Sequence, residues 1–495
     1  MGFGSFFYIL VFLPLSIVGY FVFNKFKKYT IANIFLVCMS LWFVGYFNYI
    51  YALMLCGSVL INYLFSMVIK KLSAKRIRQC ALVVGILCNV ASLLYFKYYN
   101  FFIENINNAF NTGLLTKEII LPLGISFYTF QQIAFLVDTY RELNKDTRFI
   151  DYALYVVYFP HIASGPILMH NDVIEQFRDE NKRGLDYQNL LSGLYCFSIG
   201  LFKKVIIADT FANAVSWGFS NVDAMSSLDI FIVSLCYTFQ LYFDFSGYCD
   251  MAIGTSRMFN IELPINFNSP YQSTSIIDFW GRWHLTLTQF LREYIYFPLG
   301  GSKKGKVRTY ANIMIIFLIS GIWHGANWTF IVWGLLHGFL NCLNRIFKKT
   351  WEKTNVVFQW MVTFTLVDFL WLLFRAESLS QAVYLLKKMM CMDSLFVSQG
   401  LIDSVALTEI SFWETQSFSS AFKYIAEGIQ YFYNRIYGFN LWAILLIAFF
   451  IVLNLKNTKQ ITYKRSFWRS LSIAIMLVWS MVSFTGVATY IYAGF

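Results

Sequence analysis

The stretch ANIMIIFLISGIWHGANWTFIVWGLLHGFL, residues 311–340, determines the fold class of this chain of 495 residues. About 20 consecutive apolar residues suffice for a helix to cross the hydrocarbon core of a bilayer. The stretch is longer than that and contains no Asp, Glu, Lys or Arg. It therefore predicts a membrane-spanning segment. Its least expected residue is His324, which stands between Trp323 and Gly325 in the middle of the apolar run.

The composition of the whole chain agrees with this reading. Hydrophobic residues make up 58% of the chain and charged residues only 13%, and the mean hydropathy is +0.55. We predict an all-α polytopic membrane protein with roughly ten to twelve transmembrane helices, some broken or re-entrant, in one integral-membrane domain over residues 1–495. The apolar stretches lie near residues 5–23, 31–48, 50–69, 80–96, 118–138, 151–169, 188–207, 227–252, 311–340, 356–374, 441–455 and 467–484.

Basic residues indicate which loops face the cytoplasm. Three lysines lie in residues 25–28, and five basic residues lie in residues 70–78. By the positive-inside rule both loops are cytoplasmic, which puts the N-terminus outside and the basic run Lys303–Arg308 inside. The net charge of +12 then reflects loops that face anionic lipid, and we expect no nucleic-acid partner. The prediction is a multi-pass protein of the cell (inner, cytoplasmic) membrane, with the lipid bilayer as its partner.

Segment 254–310 is too polar for a span and too aromatic for a disordered loop. Ser275, followed three residues later by Asp278, is typical of a helix start. The following residues form two opposite stripes at helical spacing, which predicts one amphipathic helix in a re-entrant segment, with His284 on its apolar side. The apolar stripe is Trp280, Trp283, Leu287, Leu291 and Tyr294, and the polar one is Arg282, Thr286, Gln289 and Glu293. A second segment, 391–440, is predicted to be a polar link between helices.

His324 and His284 are the candidate catalytic residues. An ionisable side chain at membrane depth is costly unless it lines a cavity or has a partner, so it is a functional candidate by default. A buried neutral imidazole can accept a proton from a hydroxyl, which suits a general base. The alternative is that His324 only forms a hydrogen bond to a neighbouring helix, which its flanking glycines would allow to approach. We expect His337 at the membrane interface and His170 in a loop.

Metal sites and hydrolase motifs are not indicated. The nine cysteines are scattered without CxxC spacing, and the histidines lack HExxH or HxxxH spacing, so we predict no metal ion and no bound cofactor. No G-x-S-x-G motif is present, which disfavours a serine hydrolase.

Two carboxylates lie inside the span that starts near residue 227. Asp244 and Asp250 could orient a histidine or pair with Arg282 or Arg292, because carboxylates at this depth usually face a bundle interior or a wet cavity. The alternative is a pair of helix-end residues near the interface.

Six motifs, in this order, resemble the membrane-bound O-acyltransferase (MBOAT) family. They look most like its bacterial branch, which contains alginate O-acetyltransferases and teichoic-acid D-alanyl-transfer proteins. The resemblance marks residues 121–378 as an MBOAT-like catalytic core. The motifs are LPLGISFYTFQQIAFLVDTYR (Leu121–Arg141), YFPHIASGPI (Tyr158–Ile167), YFDFSGYCDMAIG (Tyr242–Gly254), FNSPYQSTSIIDFWGRWHLTLTQFLREYIYFPLGG (Phe267–Gly301), GIWHGANWTFIVWGLLHG (Gly321–Gly338) and LLFRAES (Leu372–Ser378).

The resemblance implies a ring of helices around a central tunnel, in which a cytoplasmic acyl donor meets an acceptor from outside. His324, in the W-H-G motif, is the residue that the family treats as catalytic, and His284 is its second recurring histidine. Trp323 and Trp328 would shield His324 from bulk water. The expected supporting or tunnel-lining residues are Asp244, Arg282, Arg292, Trp323, Asn327 and Trp328.

The function implied is O-acyl transfer, with acetyl as the leading group, to hydroxyls of an exported or cell-surface polysaccharide. The co-substrate would be acetyl-CoA or another activated acyl donor, whose phosphates the run Lys303–Arg308 could receive. Transfer would be direct or would pass through an extracytoplasmic acyltransferase partner.

Three alternatives stay open at this point. One is D-alanylation of teichoic acid with an acyl-carrier protein, and a weaker one is lipid acylation. From another class, a polysaccharide flippase or proton-coupled transporter would also place Asp244 and His324 in a bundle, although no internal repeat is visible.

Overall fold

The computed structural model describes residues 2–144, 146–394, 396–405, 438–455, 457–458 and 466–484. These residues form helices and contain no strand. Seven helices are long and apolar enough to cross a membrane, and three shorter apolar helices of 10–17 residues accompany them in the described part of the chain. The prediction of an all-α polytopic membrane protein is confirmed.

We number the helices in chain order. In the first half they are α1 Tyr8–Lys25, α2 Tyr29–Gly45, α3 Tyr49–Lys71, α4 Lys75–Phe110, α5 Ile125–Tyr140, α6 Phe149–Val157, α7 His170–Arg178, α8 Tyr187–Ser220 and α9 Ser227–Met258. In the second half they are α10 Ile276–Trp280, α11 Leu285–Leu291, α12 Lys306–His324, α13 Trp328–Ile346, α14 Lys348–Trp351, α15 Val356–Arg375, α16 Leu379–Met390, α17 Gln399–Ser404, α18 Phe439–Asn454 and α19 Phe467–Val482.

Helix α9 lies at the centre of the molecule. It has 32 residues, and nearly all of them are buried. A capping box at Ser226 and Asp229 begins it, because the Ser226 hydroxyl accepts from the Asp229 amide and the Asp229 carboxylate accepts from the Ser226 amide. Its glycines permit a very close crossing with α8. A Cβ at Gly200 would lie 2.5 Å from the carbonyl oxygen of Gly247, so only glycine fits there.

Two expected spans have a different form. Residues 151–169 form the short helix α6 and then a buried irregular turn, so they do not cross as one helix. Residues 311–340 form a pair of helices, α12 and α13, which meet at Gly321 and Gly334. The helix ends between them because Gly325 has an extended backbone (φ −168°). Glycine is needed there, since a Cβ would collide with the Phe330 ring.

The prediction of one amphipathic helix in segment 254–310 is wrong. The helix ends at Trp280, and a new one starts at Leu285 after a turn. His284, the last residue of this turn, has a left-handed backbone (φ +48°, ψ +52°), which a continuous helix cannot contain. The π-helical turn Arg292–Tyr296 follows α11. The apolar side nevertheless faces inward, since Trp280, Trp283 and Leu287 are buried.

The predicted polar link 391–440 lies largely outside the described residues, which omit 406–437. Its described part contains α17, whose Leu401 and Ile402 are buried. Gly400 of α17 packs against the Trp217 indole.

Candidate active site

His324 is the last residue of α12, and only 1% of its surface is exposed. Aromatic rings surround its imidazole. The ring centroid lies 5.0 Å from that of Trp323, 5.1 Å from that of Trp333 and 5.3 Å from that of Phe374. Phe374 belongs to the LLFRAES motif at the end of α15, so the fold brings two distant motifs together around one imidazole.

His284 lies next to His324. The two imidazole centroids are 6.3 Å apart, although 39 residues separate the two in the chain. His284 is fully buried, as expected, and its ring packs against Phe245 of α9 at 4.9 Å and Trp323 at 5.8 Å. The two candidate catalytic residues therefore form one site.

Asn266 orients the His284 imidazole. Its side-chain oxygen lies 3.1 Å from His284 Nδ1 and accepts hydrogen bonds from the backbone amide and the hydroxyl of Thr286. Because the Thr286 amide can only donate, this atom of Asn266 is the carbonyl oxygen, and His284 Nδ1 must carry the proton. The basic nitrogen of the neutral ring is then Nε2. Burial lowers the pKa of His284, which keeps the ring neutral.

The Trp323 ring packs against both histidines, with its centroid 5.0 Å from that of His324 and 5.8 Å from that of His284. It stacks on Phe130 with 5.4 Å between centroids, and its indole N–H donates to the Ser126 carbonyl at 3.3 Å. Phe130 in turn stacks on Phe290 of α11 at 4.1 Å. This packing ties α5, α11 and α12 together at the site.

Lys97 also reaches the site, and neither this residue nor Asn266 was predicted from the sequence. Its ammonium donates to the carbonyl oxygens of Trp323 at 2.6 Å and His324 at 3.1 Å. A lysine inside the aromatic run LLYFKYYNFF was the available signal for Lys97. Asn266 had no such signal, because asparagine is common in the loops between helices.

The expected pairing of the α9 carboxylates with Arg282 or Arg292 is wrong. Asp244 pairs with Lys204 at 2.7 Å, and Asp250 pairs with Lys203 at 2.6 Å, so both carboxylates join α9 to α8.

The two arginines have local partners instead. Arg282 pairs with Asp278 at 2.8 Å, one turn away, and Arg292 lies 3.9 Å from Glu293. Arg282 therefore supports the α10 turn.

Asn327 and Trp328 form hydrogen bonds that support the fold and do not contact the two histidines. Asn327 caps α13 by accepting from the Thr329 amide, and its side chain donates to the Glu377 carbonyl. Trp328 is half-exposed, and its indole N–H donates to Asn105 of α4. The expected shielding of His324 by Trp328 is therefore wrong, and Trp333 takes that place.

Two further histidines are more buried than expected. His337 is fully buried rather than interfacial, and its Nδ1 accepts from the Trp280 indole at 3.2 Å. His170 begins α7 and lies 3.0 Å from the Asp138 carboxylate, so it is not a loop residue. Both link neighbouring helices.

In the described part of the chain, two cavities adjoin α12. The Ser320 cavity, about 290 Å³, lies along α12 among α10, α11 and α13, and its lining includes Trp280, Leu287, Thr288, Arg292, Ser320 and Arg345. The Gly325 cavity, about 380 Å³, lies where α12 ends, and its lining includes Phe96, Lys97, Tyr99, Asn100, Gly325 and Phe330. One cavity therefore flanks the helix and the other adjoins its His324 end.

Comparison with known proteins identifies the family. Residues 20–378 match the sequence profile described as MBOAT, the membrane-bound O-acyltransferase family. The chain belongs to the MBOAT family. The matched range contains both histidines, their aromatic neighbours, Asn266 and Lys97.

Individual relatives agree with this assignment. The chain is 41% identical over 418 residues to a peptidoglycan O-acetyltransferase of Helicobacter pylori, which covers 78% of this chain and 79% of the relative. It is 36% identical over 389 residues to a probable alginate O-acetylase AlgI of Pseudomonas aeruginosa, covering 77% and 73%. A teichoic acid D-alanyltransferase of Bacillus subtilis is 31% identical over 247 residues, covering 48% and 62%. This MBOAT protein is an O-acyltransferase that uses an acyl donor as co-substrate.

Proposed function

We propose that the chain transfers an acetyl group from a donor on the cytoplasmic side to a hydroxyl of a glycan outside the cytoplasmic membrane, with residues 121–378 as its catalytic core. The observation that carries this proposal is the pair of buried, adjacent histidines where α12 ends, with the Ser320 cavity along this helix and the Gly325 cavity at its end. A site of this kind excludes water, which would otherwise compete with the glycan hydroxyl for the acyl group.

His324 acts as the general base. Its imidazole takes the proton of the acceptor hydroxyl while the oxygen attacks the carbonyl carbon of the acyl thioester. The new C–O bond forms, the C–S bond breaks, and the imidazolium returns the proton to the departing thiolate. The aromatic rings of Trp323, Trp333 and Phe374 hold the base in a dry surrounding.

His284 is the second histidine of the proposed site, and it assists His324. Asn266 fixes the proton on Nδ1, so Nε2 is the nitrogen that accepts a hydrogen bond or proton. We assign it to orienting the thiol ester or the acceptor next to His324. The ring centroids are 6.3 Å apart, so both imidazoles can contact the same bound group.

The positive-inside rule gives the two cavities opposite roles. With the N-terminus outside, α12 runs outward from the cytoplasmic run Lys303–Arg308 towards His324. The Ser320 cavity then admits the donor, and its Arg292 and Arg345 suit the phosphates of acetyl-CoA. The Gly325 cavity admits the acceptor, and its Tyr99 and Asn100 offer the aromatic and polar groups that bind sugars.

The relatives support acetyl over D-alanyl. Both O-acetylating relatives cover more than 70% of either chain, whereas the D-alanyltransferase covers 48% of this chain. We therefore assign an acetyl donor and a cell-wall or exported polysaccharide acceptor, reached directly or through an extracytoplasmic acyltransferase partner.

Three strains test this function: cells that lack the gene, the same cells complemented with the wild-type gene, and the same cells complemented with His324→Gln. We expect the purified glycan of the wild-type cells to release acetate on mild alkaline treatment, and the glycan of the other two strains to release little. Both proteins are quantified in the membrane fraction.

The identity of the released acid distinguishes the alternatives. D-Alanine in place of acetate would replace the acetyl assignment with D-alanylation. Equal ester content in all three strains would overturn glycan acylation altogether.

A further inference from the structure

The C-terminal end of α12 is held by two consecutive residues of α4. An α-helix leaves its last four carbonyl oxygens without partners inside the helix. Lys97 donates to the carbonyl oxygens of Trp323 and His324, and the Tyr98 hydroxyl donates to that of Ile322. Three consecutive carbonyls are thus satisfied from one neighbouring segment, which we call the Lys97–Tyr98 clamp.

The local structure of α4 makes this clamp possible. Residues Leu94–Tyr98 form a π-helical turn within the longer helix. Such turns are uncommon and occur frequently at functional sites, because the extra residue alters where the neighbouring side chains point. In this turn the lysine and the tyrosine both reach the same end of α12.

The Lys97 ammonium has all three of its N–H donors engaged. Besides the two carbonyls it donates to the Ser126 hydroxyl at 3.3 Å, and it lies 5.8 Å from the Trp323 ring centroid. No carboxylate is paired with it in the described part of the chain. A cation at this position interacts favourably with the negative end of the helix dipole of α12.

We propose that Lys97 is a positioning residue for His324, and that the Lys97–Tyr98 clamp fixes the end of α12 so that the imidazole keeps its catalytic orientation. The helix ends at His324, and the extended residue Gly325 follows. No further helical turn therefore holds the end of α12 by hydrogen bonds. Lys97 also lines the Gly325 cavity, so it joins the acceptor route to the base. This inference rests on the proposed function.

The test compares three variants of purified, membrane-reconstituted protein with labelled acetyl-CoA as donor. We expect Lys97→Met to lower kcat about 10- to 100-fold with KM for the donor unchanged, because a small misplacement of a reacting group costs that much. Lys97→Arg keeps the charge and the donors and should restore most of the rate. Lys75→Met, at the exposed start of the same helix, is the matched control and should behave as wild type.

The outcomes separate this inference from the function itself. If wild type transfers acetyl, His324→Gln does not, and Lys97→Met has wild-type kcat per folded molecule, the clamp only stabilises the fold and the inference is wrong. A fall in melting temperature with unchanged kcat leads to the same conclusion. If wild type transfers no acetyl at all, the proposed function fails and the inference fails with it.

Discussion

The two histidine segments of the candidate active site are built in opposite ways. His324 ends a regular helix of 19 residues whose apolar sequence already requires a span. His284 stands in a turn between two short helices, in a left-handed conformation that its own sequence does not favour. One imidazole is placed by the hydropathy of its helix, and the other by contacts with distant residues.

This contrast shows which contacts fix the position of each histidine, and therefore which substitutions would disturb it. The position of His324 depends on how the end of α12 is held, and the partners of its backbone carbonyls hold it. The orientation of His284 depends on Asn266, one side chain from a loop 18 residues earlier. We therefore expect substitutions at the ring itself to have the largest effects, and those at supporting residues smaller ones.

The largest effect is expected for His324. Its replacement by Gln or Ala removes the general base, so acyl transfer per folded molecule should fall about 10²- to 10⁴-fold. The melting temperature should stay near that of wild type. If His324 instead only joins helices, the loss would be about 0.6–2 kcal/mol of stability, with activity per folded molecule preserved. Thermal unfolding and glycan ester content measure the two quantities.

A smaller loss is expected for His284, at the lower end of the acid–base range, about 10²-fold for His284→Gln. The matched control is His337→Gln, because His337 is equally buried but accepts a hydrogen bond from the Trp280 indole and is not one of the two proposed catalytic histidines. The control should lose stability and keep its activity per folded molecule. Full activity of His284→Gln would make His284 a packing residue.

Asn266 should have a smaller effect again. Asn266→Leu removes the acceptor that fixes the proton on His284 Nδ1, and one such hydrogen bond is worth about 0.5–1.5 kcal/mol. We expect transfer to fall up to about 10-fold. The double variant with His284→Gln should be no slower than His284→Gln alone, since both act through the same ring. Additive losses would contradict the role given to Asn266.

The smallest effect is expected at Trp328. It is half-exposed and contacts Phe101 and Asn105, not the imidazoles. Trp328→Phe should therefore transfer acetyl at the wild-type rate, whereas Trp323→Phe, beside both histidines, should be slower. The rates of the two variants are measured in the same membranes. A larger loss for Trp328→Phe would restore the shielding role expected from sequence.

The sequence was sufficient to predict the features that follow from membrane-spanning, regular helices. Apolar runs of spanning length have no other stable environment, so the all-α polytopic class followed from them. His324 could be predicted as a site residue because an imidazole in such a run is costly without a function. His284 followed from the same argument, because it lies on the apolar side of an amphipathic pattern, and the family resemblance then pointed to both histidines.

The missed features depend on tertiary contacts. The amphipathic pattern of 276–294 is preserved, but the turn before Leu285 arises because Asn266 holds Leu285, Thr286 and His284 at once. Lys97 and the pairs formed by Asp244 and Asp250 involve residues of other helices, whose proximity no local spacing reveals. Trp328 begins a new helix after the interruption at Gly325, and its side chain contacts α4 instead of His324.

The sidedness of the reaction shows whether a cytoplasmic donor and an outside acceptor meet at His324. Sealed right-side-out membrane vesicles are loaded with labelled acetyl-CoA, or receive it only outside, with the glycan acceptor outside in both cases. We expect that only the loaded vesicles acetylate the glycan, and that loaded vesicles with His324→Gln do not. Equal labelling from donor supplied outside would contradict a cytoplasmic donor.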